Sequence, residues 1–340
     1  MIARGLRVPR ARGEAIRREL AEAGQLREDL GIRSEGEFLV LPIIEGPNPP
    51  SGSGGEVVER DFEEHARKGP AQYRDLLDWP STEKEALPRS FDIVGDIVLI
   101  RLPPEFDARK AEVGRALLEF VPGARLVGAD HGVHGPERRR IVERIAGTGP
   151  WLTRHRENGV ELDVDLAQAY FSPRLSREHS RVAEEVTEGD RVYDLCCGVG
   201  PFSVTIAHRT RTTTVTAVDS NPEAIALLRA TLARSPFAAR VLPVESTLEA
   251  FLPGAIPVER VVLNLPHEGI KYLPSVARTV APRGRLYYYE VTPRDDLAGR
   301  GVELVKSLGP SGNFQLAGER VVHPYSPSSD LVAFVLERSG

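Results

Sequence analysis

Acidic residues end three consecutive strand-like segments in the second half of the chain. Asp194 closes a run that begins at Val192, Asp219 ends a β-branched run that begins at Thr213, and Glu245 follows a third run. The carboxyl ends of parallel strands border the ligand crevice of a doubly wound sheet, so these side chains would meet at one ligand. A carboxylate there can accept both hydroxyl groups of a ribose, which indicates a nucleoside-like cofactor.

A glycine turn follows the first of these acids. It reads Gly198-Val-Gly200-Pro-Phe202-Ser203, and its glycines permit a tight turn close to a ligand. A dinucleotide-binding fingerprint would need a third glycine at Ser203, so a pyrophosphate cofactor is disfavoured. S-Adenosylmethionine fits better, because it carries an ammonium group and ribose hydroxyls but no phosphate. The alternative is a plain connection from strand to helix.

The roles of the two later acids follow from the same spacing. Asp219 would accept the ribose hydroxyls, and Glu245 with Ser246 would lie near the adenine. The alternative for Asp219 is that it caps the helix that Pro222 begins. Because acids recur at the spacing of consecutive βα units, we favour the ribose role.

A fourth strand ends in the turn Asn264-Leu265-Pro266. An amide both donates and accepts hydrogen bonds, so Asn264 could read the edge of a planar base and hold it in plane. Amino- and ring-nitrogen methyltransferases use a short Asn-x-Pro turn in this place. The alternative is an asparagine that only turns the chain before a proline.

These segments need a fold that brings strand ends together. With 340 residues, the chain should form two or three domains. We predict an α/β fold in which a Rossmann-like, doubly wound C-terminal domain over 166–340 follows an α+β middle domain over 69–165 and a small α+β N-terminal domain over 1–68. The prolines and glycines of Glu45–Gly55 predict a loop or linker near the end of the N-terminal domain.

Local patterns predict individual elements. The predicted elements are a helix over Arg12–Ala23, a strand over Glu37–Ile43, a strand, tight turn and strand around Gly95, a helix over Ala108–Phe120, a strand over Ala124–Val127 and a helix from Ser176. Ser176 is expected to be the N-cap of that last helix. The arginines at 138, 139, 140, 144, 154 and 156 could contact phosphates or form a solvated face.

Composition limits the other classes of function. The formal net charge of −5 argues against a bulk electrostatic grip on nucleic acid, so any such contact must be local. The two cysteines, Cys196 and Cys197, are adjacent and give neither a disulfide framework nor metal-ligand spacing. No run of about 18 apolar residues and no signal-peptide core occur, so we expect a cytoplasmic protein that binds no metal or membrane.

Several motifs occur in one order over nearly the whole chain. They are Phe91-Asp-Ile-Val-Gly-Asp-Ile97, Gly135-Pro-Glu-Arg138, His155-Arg-Glu-Asn-Gly159, Tyr170-Phe-Ser-Pro-Arg-Leu175, Asp194-Leu-Cys-Cys-Gly-Val-Gly-Pro-Phe202, Asn264-Leu-Pro266 and Val322-His-Pro-Tyr-Ser-Pro327. In this combination the chain resembles the archaeal and eukaryotic tRNA guanine-37 N1-methyltransferases. The resemblance implies a monomeric three-domain enzyme that uses S-adenosylmethionine. Its first domain would touch the outer corner of the tRNA, and the other two would hold the anticodon stem-loop and extrude the target guanine.

The resemblance also assigns roles to residues. The general-base glutamate of the family falls on Glu178, its base-contacting arginine on Arg138 and its turn asparagine on Asn264, while Arg174 and Pro266 would contact the substrate. The residues that would bind the cofactor are Tyr170, Asp194, Gly198, Gly200, Phe202, Asp219, Asn221, Glu245, Ser246 and Asn264.

The chain departs from the family pattern at three places. His179 stands where an arginine is common, Cys196-Cys197 where Phe-Ala is more usual, and Glu245 where aspartate is more usual. The change at His179 weakens any role of that position in holding the base.

Three other functions stay open at this point. The same catalytic frame could methylate a tricyclic wyosine precursor at position 37, a sister family transfers an aminocarboxypropyl group from the same cofactor, and a non-catalytic RNA-binding protein could keep the fold. The intact turn from Asn264 to Pro266 favours methyl transfer.

Overall fold

The computed structural model describes residues 1–27, 29–44, 55–63, 70–134 and 139–340. They form two compact units, Met1–Asp78 and Trp79–Gly340. The three-domain division at residues 68 and 165 stays a prediction. Of the predicted linker at Glu45–Gly55, only Gly55 lies within the described residues.

The first unit is an antiparallel sheet with one helix. Its elements are β1 (Ile2–Pro9), α1 (Gly13–Glu22), β2 (Arg33–Glu35), β3 (Phe38–Pro42) and β4 (Glu56–Asp61). The strand order is β2-β3-β1-β4. Leu6 and Val8 alternate along β1 toward one face of the sheet, where they meet Ile16 and Leu20, which are four residues apart on α1. The predicted N-terminal helix and strand, and the small α+β fold, are confirmed.

The second unit begins with a four-stranded sheet in the order β5-β6-β7-β8. Its elements are α2 (Ser81–Ala86), β5 (Asp92–Val94), β6 (Ile97–Ile100), α3 (Lys110–Phe120), β7 (Leu126–His134) and β8 (Arg139–Gly147). The predicted tight turn is confirmed, with Gly95 at a φ of 57°. The segment with the arginines at 139, 140 and 144, for which the sequence patterns predict no element, is the strand β8. It pairs antiparallel with β7, and Arg140 and Ile145 are buried whereas Arg144 is exposed.

A hairpin and a short turn lead to the C-terminal sheet. The hairpin joins β9 (Leu152–Glu157) to β10 (Val160–Asp165) through Asn158 and Gly159, whose positive φ angles of 48° and 81° match a two-residue hairpin turn. The helix α4 (Ser176–Glu185) follows.

The prediction that Ser176 caps α4 is wrong. A 3₁₀ turn over Pro173–Leu175 runs directly into the helix, Leu175 holds the cap position without a side-chain hydrogen bond, and Ser176 already has helical angles. Pro173 starts this turn because its ring fixes φ near the helical value.

The C-terminal part is a seven-stranded sheet with helices on both faces. Its elements are β11 (Arg191–Leu195), α5 (Pro201–Arg209), β12 (Thr214–Asp219), α6 (Pro222–Leu232), β13 (Val241–Glu245), α7 (Leu248–Phe251), β14 (Val258–Leu263), α8 (Gly269–Arg278), β15 (Val280–Pro293), α9 (Arg300–Ser307), β16 (Phe314–Ser326) and β17 (Ser329–Arg338). The strand order is β13-β12-β11-β14-β15-β17-β16. The first five strands are parallel, and β17 lies antiparallel between β15 and β16. The predicted doubly wound fold is confirmed.

The central strands are buried on both faces. Val192 of β11 and Tyr287 and Tyr289 of β15 pack into one core, whereas Tyr193 and Tyr288 pack into the other. Near-continuous runs of branched and aromatic residues are typical of parallel strands that are covered by helices on both sides. This burial fixes the strand register, so the strand ends come to lie along one edge.

Candidate active site

A cavity opens at the carboxyl ends of β11 and β14, where the strand order reverses. Such a reversal point is where ligands bind in open α/β sheets. The described residues that line the cavity are Tyr170, Phe171, Ser172, Leu175, His179, Cys196, Cys197, Gly198, Pro201, Asp219, Ser220, Asn221, Ala224, Asn264, Leu265, Pro266, His323, Tyr325 and Leu331. An adjoining crevice shares Asp219 and Tyr325 with it and continues to Ser246.

The turn after β11 uses its two glycines differently. Gly198 faces the cavity at a φ of 57°, and its backbone N–H donates to Asp219 Oδ2 at 2.7 Å. Gly200 has a φ of 77°, but a Cβ there would lie 2.6 Å from Leu228 Cδ1. The first glycine therefore shapes the cavity, and the second permits α5 to pack close to α6.

Asp219 lies at the cavity with both carboxylate oxygens engaged. Oδ2 accepts from Gly198, and Oδ1 accepts from the backbone N–H of Asn221 at 2.9 Å. The cap of α6 is Asn221, whose side-chain oxygen accepts from the N–H groups of Glu223 and Ala224. The alternative role of Asp219 as the helix cap is therefore wrong.

Asp194 is fully buried and is not among the described lining residues. Its Oδ2 accepts from the backbone N–H and the hydroxyl of Ser203, at 3.1 and 2.6 Å. Burial raises the pKa of Asp194 to about 6, although the Ser203 hydrogen bonds lower it. In this structure Asp194 holds the glycine turn to the start of α5.

Some of the other predicted cofactor residues line the cavity or the crevice, and others do not. Tyr170 and Asn264 line the cavity, and Ser246 lines the adjoining crevice. Glu245 is exposed beyond both sets of described lining residues. Phe202 is buried against the rings of His179 and Tyr289, with centroid distances of 4.5 and 5.7 Å.

The predicted substrate residues are also divided. Pro266 lines the cavity beside Asn264. Arg174 is half exposed and pairs with Asp92, with Nε 2.8 Å from Oδ1. Arg138 lies outside the described residues.

The neighbouring arginine, Arg140, is buried rather than available to a phosphate. It donates to Asp130 Oδ2 at 2.7 Å and to the carbonyl of Phe171 at 2.9 Å, and its guanidinium lies 5.6 Å from the centre of the Tyr170 ring. The interpretation of Arg140 as part of a phosphate-contacting patch is therefore wrong. The residue supports the cavity wall from behind.

Glu178 is buried on α4 and is not among the described residues that line the cavity. Arg320 Nε donates to its Oε1 at 3.0 Å, Arg320 Nη2 donates to Oε2, and the Tyr289 hydroxyl donates to Oε2 at 3.2 Å. Its exposed fraction is 5%. The predicted general base is thus an ion-paired carboxylate one helix position away from the cavity-lining His179.

His179 contributes a second buried polar contact. Its Nδ1 lies 2.6 Å from Glu157 Oε1, and His155 Nε2 lies 3.6 Å from Glu157 Oε2. Burial by itself raises the pKa of Glu157, but hydrogen bonds from His155 and His179 more than offset that effect and lower the pKa to about 2. At neutral pH the Glu157 carboxylate is therefore charged and orients the His179 ring.

Sequence reasoning did not assign the residues from β16 that close the cavity. His323 and Tyr325 line it, and the Tyr325 hydroxyl lies 2.9 Å from His267 Nε2. The motif from Val322 to Pro327 was the available signal, but its place at the cavity follows only from the insertion of β17 next to β15.

The described part of the chain shows neither a metal site nor a membrane-spanning helix. In residues 1–27, 29–44, 55–63, 70–134 and 139–340, no group of three or more His, Cys, Asp or Glu side chains could hold a metal ion. None of the helices in these ranges has the length and apolar character needed to cross a membrane.

Comparison with known proteins gives a consistent relationship over the full length. The chain is 33% identical over 325 residues to the tRNA (guanine(37)-N(1))-methyltransferase Trm5b of Pyrococcus abyssi, and the match covers 95% of each chain. It belongs to the Trm5 family of tRNA methyltransferases. Family models match it as a tRNA methyltransferase 5 N-terminal domain over 5–50, a TYW2 N-terminal domain over 73–150 and a TRM5/TYW2 methyltransferase domain over 153–315.

Solved structures of the Trm5 family share the architecture. The crystal structure of Pyrococcus abyssi Trm5b has a TM-score of 0.74 at 32% identity and covers 99% of this chain and 100% of its own. The complex of aTrm5 with tRNALeu has a TM-score of 0.71 at 28% identity, with coverage of 98% and 99%. Methanocaldococcus jannaschii Trm5 in complex with adenosine has a TM-score of 0.66 at 27% identity, with coverage of 99% of each chain.

Proposed function

We propose that this enzyme transfers a methyl group from S-adenosylmethionine to N1 of guanine-37 in tRNA, with Glu178 as the general base. One observation carries the proposal: a single cavity at the strand-order reversal joins Gly198 and Asp219 to the turn from Asn264 to Pro266. Its full-length relatives in the Trm5 family act on that nucleotide or bind tRNA, as their names state.

The residues at the cavity fit S-adenosylmethionine. Asp219 lines the cavity with a carboxylate that can accept from ribose hydroxyls, Gly198 allows close approach, and the crevice toward Ser246 has room for the adenine. The Methanocaldococcus jannaschii relative was solved in complex with adenosine, which is the nucleoside part of this cofactor. When bound, the cofactor supplies an electrophilic methyl group.

The substrate explains why a base is needed. Guanine N1 carries a proton at neutral pH and is a poor nucleophile until that proton leaves. Glu178 would accept the proton, which requires its carboxylate to exchange a contact with Arg320 or Tyr289 for one with the substrate. Asn264 and Pro266 would hold the base in plane, and Arg138 would stabilise the negative charge that develops on O6.

The domain roles complete the proposal. The N-terminal domain over 1–68 would contact the outer corner of the tRNA. The domains over 69–165 and 166–340, with Arg174, would hold the anticodon stem-loop, and the enzyme would act as a monomer. Extrusion of a base costs a few kcal/mol and least in a single-stranded loop, which suits an anticodon-loop target.

The product test uses a tRNA transcript that carries an unmodified guanine at position 37. Incubation with purified enzyme and S-adenosylmethionine should produce primer-extension arrest at that position and add the mass of one methyl group to the nucleoside. A transcript with adenine-37 serves as the control. Absence of arrest would refute the proposal. An added mass equal to an aminocarboxypropyl group would instead identify the enzyme as an aminocarboxypropyl transferase.

The base is tested by the substitution Glu178→Gln. Single-turnover methylation should slow by about 100-fold or more, because an amide cannot accept the N1 proton, while cofactor affinity should stay unchanged. Glu184→Gln is the matched control, since Glu184 is an exposed carboxylate on the same helix. An unchanged rate for Glu178→Gln would remove Glu178 from the mechanism.

A further inference from the structure

The Glu178 carboxylate is held by a donor set that spans three elements. Arg320 on β16 binds both of its oxygens, and Tyr289 on β15 donates to Oε2. On α4 itself, Arg181 Nε lies 3.6 Å from Oε1. Two parallel N–H donors from one guanidinium fix the plane of the carboxylate as well as its place.

The ion pair with Arg320 matters for the charge of Glu178 because both Glu178 and its neighbour Tyr289 are buried. Glu178 is 5% exposed and Tyr289 is fully buried, so water does little to stabilise a charge at this position. Arg320 is the closest positive charge, and its side chain is 23% exposed. Burial by itself lowers the pKa of Arg320, but the Glu178 carboxylate more than offsets this and raises it. Among the residues that the structure describes, removal of the guanidinium would leave Arg181, at 3.6 Å, as the remaining ion-pair partner of this buried carboxylate.

The pair lies directly behind the cavity wall. Leu175, at the cap position just before α4, and His179, next to Glu178 on α4, both line the cavity. Three residues after Arg320 on the same strand, His323 also lines it. The Glu178 carboxylate would have to leave Arg320 and Tyr289 before it could reach a substrate in the cavity.

We propose that Arg320 is a positioning residue for proton transfer, because its guanidinium keeps Glu178 ionised and oriented behind the cavity until a substrate enters. The inference rests on the proposed role of Glu178 as the base. A base must be deprotonated before it can accept a proton, and a buried carboxylate without a cation takes up a proton instead. Arg320 acts through Glu178 and does not touch the reacting atoms.

The charged and titratable groups around Glu178 determine the expected pH dependence. In the described part of the chain they are Arg320 on β16, Tyr289 on β15 and Arg181 on α4, and Glu185 at the end of α4 interacts with Arg320. Only Arg320 combines a positive charge with hydrogen bonds to both carboxylate oxygens. Its loss should therefore move the ionisation of Glu178 to higher pH.

The first experiment measures single-turnover methylation against pH for the full-length enzyme. In Arg320→Gln, the acidic limb of the rate profile should move up by about 1–3 pH units, with recovery at high pH. Arg320→Lys keeps the positive charge but not the paired N–H donors, so its acidic limb should lie between those of wild type and Arg320→Gln. Arg285→Gln is the matched control, because Arg285 is an ion-paired arginine of β15 that pairs with Glu185 and Glu337. An unmoved limb, or an equal loss of rate at every pH, would overturn the inference.

The second experiment does not depend on activity. The ¹³C signal of the Glu178 side-chain carboxyl, assigned with Glu178→Gln, should titrate at a higher pH in Arg320→Gln than in wild type, and the spectra also report folding. Equal midpoints would refute the role of Arg320. A higher midpoint together with an unchanged rate for Glu178→Gln would instead refute the proposed base and leave the ion-pair effect intact.

Discussion

Asp194 and Glu157 are both buried carboxylates, yet their surroundings move their pKa values in opposite directions. Asp194 has Ser203 as its hydrogen-bond partner and a nearby Asp219 charge, so burial dominates and the pKa rises to about 6. Glu157 lies between His155 and His179, whose hydrogen bonds outweigh burial and bring the pKa to about 2. The two residues should therefore change the stability of the fold in different pH ranges.

The substitution Asp194→Asn should remove the free-energy cost of ionising a buried carboxyl group, a cost that grows as pH rises. Between the ordinary value of 3.8 and about 6, native Asp194 binds more protons than the unfolded chain, so the free energy of unfolding falls as pH increases. Relative to wild type, Asp194→Asn should gain about 1–3 kcal/mol between pH 4 and 7. Urea unfolding without cofactor measures this. Asp295→Asn, at an exposed position, should show no gain. If the free energy of unfolding of Asp194→Asn followed pH in parallel with wild type, the raised pKa of Asp194 would be contradicted.

The substitution Glu157→Gln should act in the opposite sense. Since its native pKa is depressed from 4.5 to about 2, Glu157 stabilises the fold above pH 4.5, and this contribution is lost as pH falls toward 2. Glu157→Gln should cost about 1–3 kcal/mol at pH 6 and much less near pH 3. Acid unfolding monitored by circular dichroism tests this. A pH-independent cost would mean that packing, not the pairing with His155 and His179, is responsible.

At the scale of elements, the turn between β11 and α5 depends on two different requirements for glycine. Gly198 needs its positive φ at a point that faces the cavity, whereas Gly200 needs both a positive φ and space beside Leu228. Gly189, in the connection before β11, has a φ of 87° and no described atom within 4 Å of a built Cβ. A comparison of substitutions at Gly200 and Gly189 therefore distinguishes the cost of backbone strain from the cost of crowding against Leu228.

Gly200→Ala should destabilise the fold more than Gly189→Ala. Both substitutions place a Cβ in a left-handed conformation, which costs about 1 kcal/mol. Only Gly200→Ala also pushes against the buried Leu228, which should add about 1–3 kcal/mol. Thermal or urea unfolding gives the difference. Equal losses would show that α5 and α6 have room to separate.

At the scale of the whole molecule, the two units have separate cores. The core of Leu6, Val8, Ile16 and Leu20 belongs to Met1–Asp78, and both core layers of the seven-stranded sheet belong to Trp79–Gly340. Every described residue of the cavity also lies in Trp79–Gly340. The second unit therefore contains what the proposed cofactor site requires.

A fragment of residues 79–340 should fold and bind S-adenosylmethionine. Its affinity should lie within about 1 kcal/mol, roughly fivefold, of that of the full chain. Isothermal titration of both proteins gives the comparison, and Asp219→Ala in the fragment should weaken binding. A folded fragment that does not bind would show that the site needs the first unit.

The sequence by itself determined the doubly wound fold and the positions of Gly198, Asp219 and Asn264 at the cavity. Strand ends, glycine turns and alternating burial are local patterns, and parallel strands bring their carboxyl ends to one edge whatever the details of packing. The order of the motifs also indicated the family.

Tertiary structure alone decided where side chains point and which charges pair. Asp194 turns into the protein, Asn221 caps α6, and Glu178 pairs with Arg320 across 142 residues. Such contacts depend on the insertion of β17 and the exact packing of α4 on the sheet, which no local pattern encodes. The strength of an ion pair in the protein interior depends on distance and burial, so only the tertiary structure shows that Arg320 is the partner of Glu178.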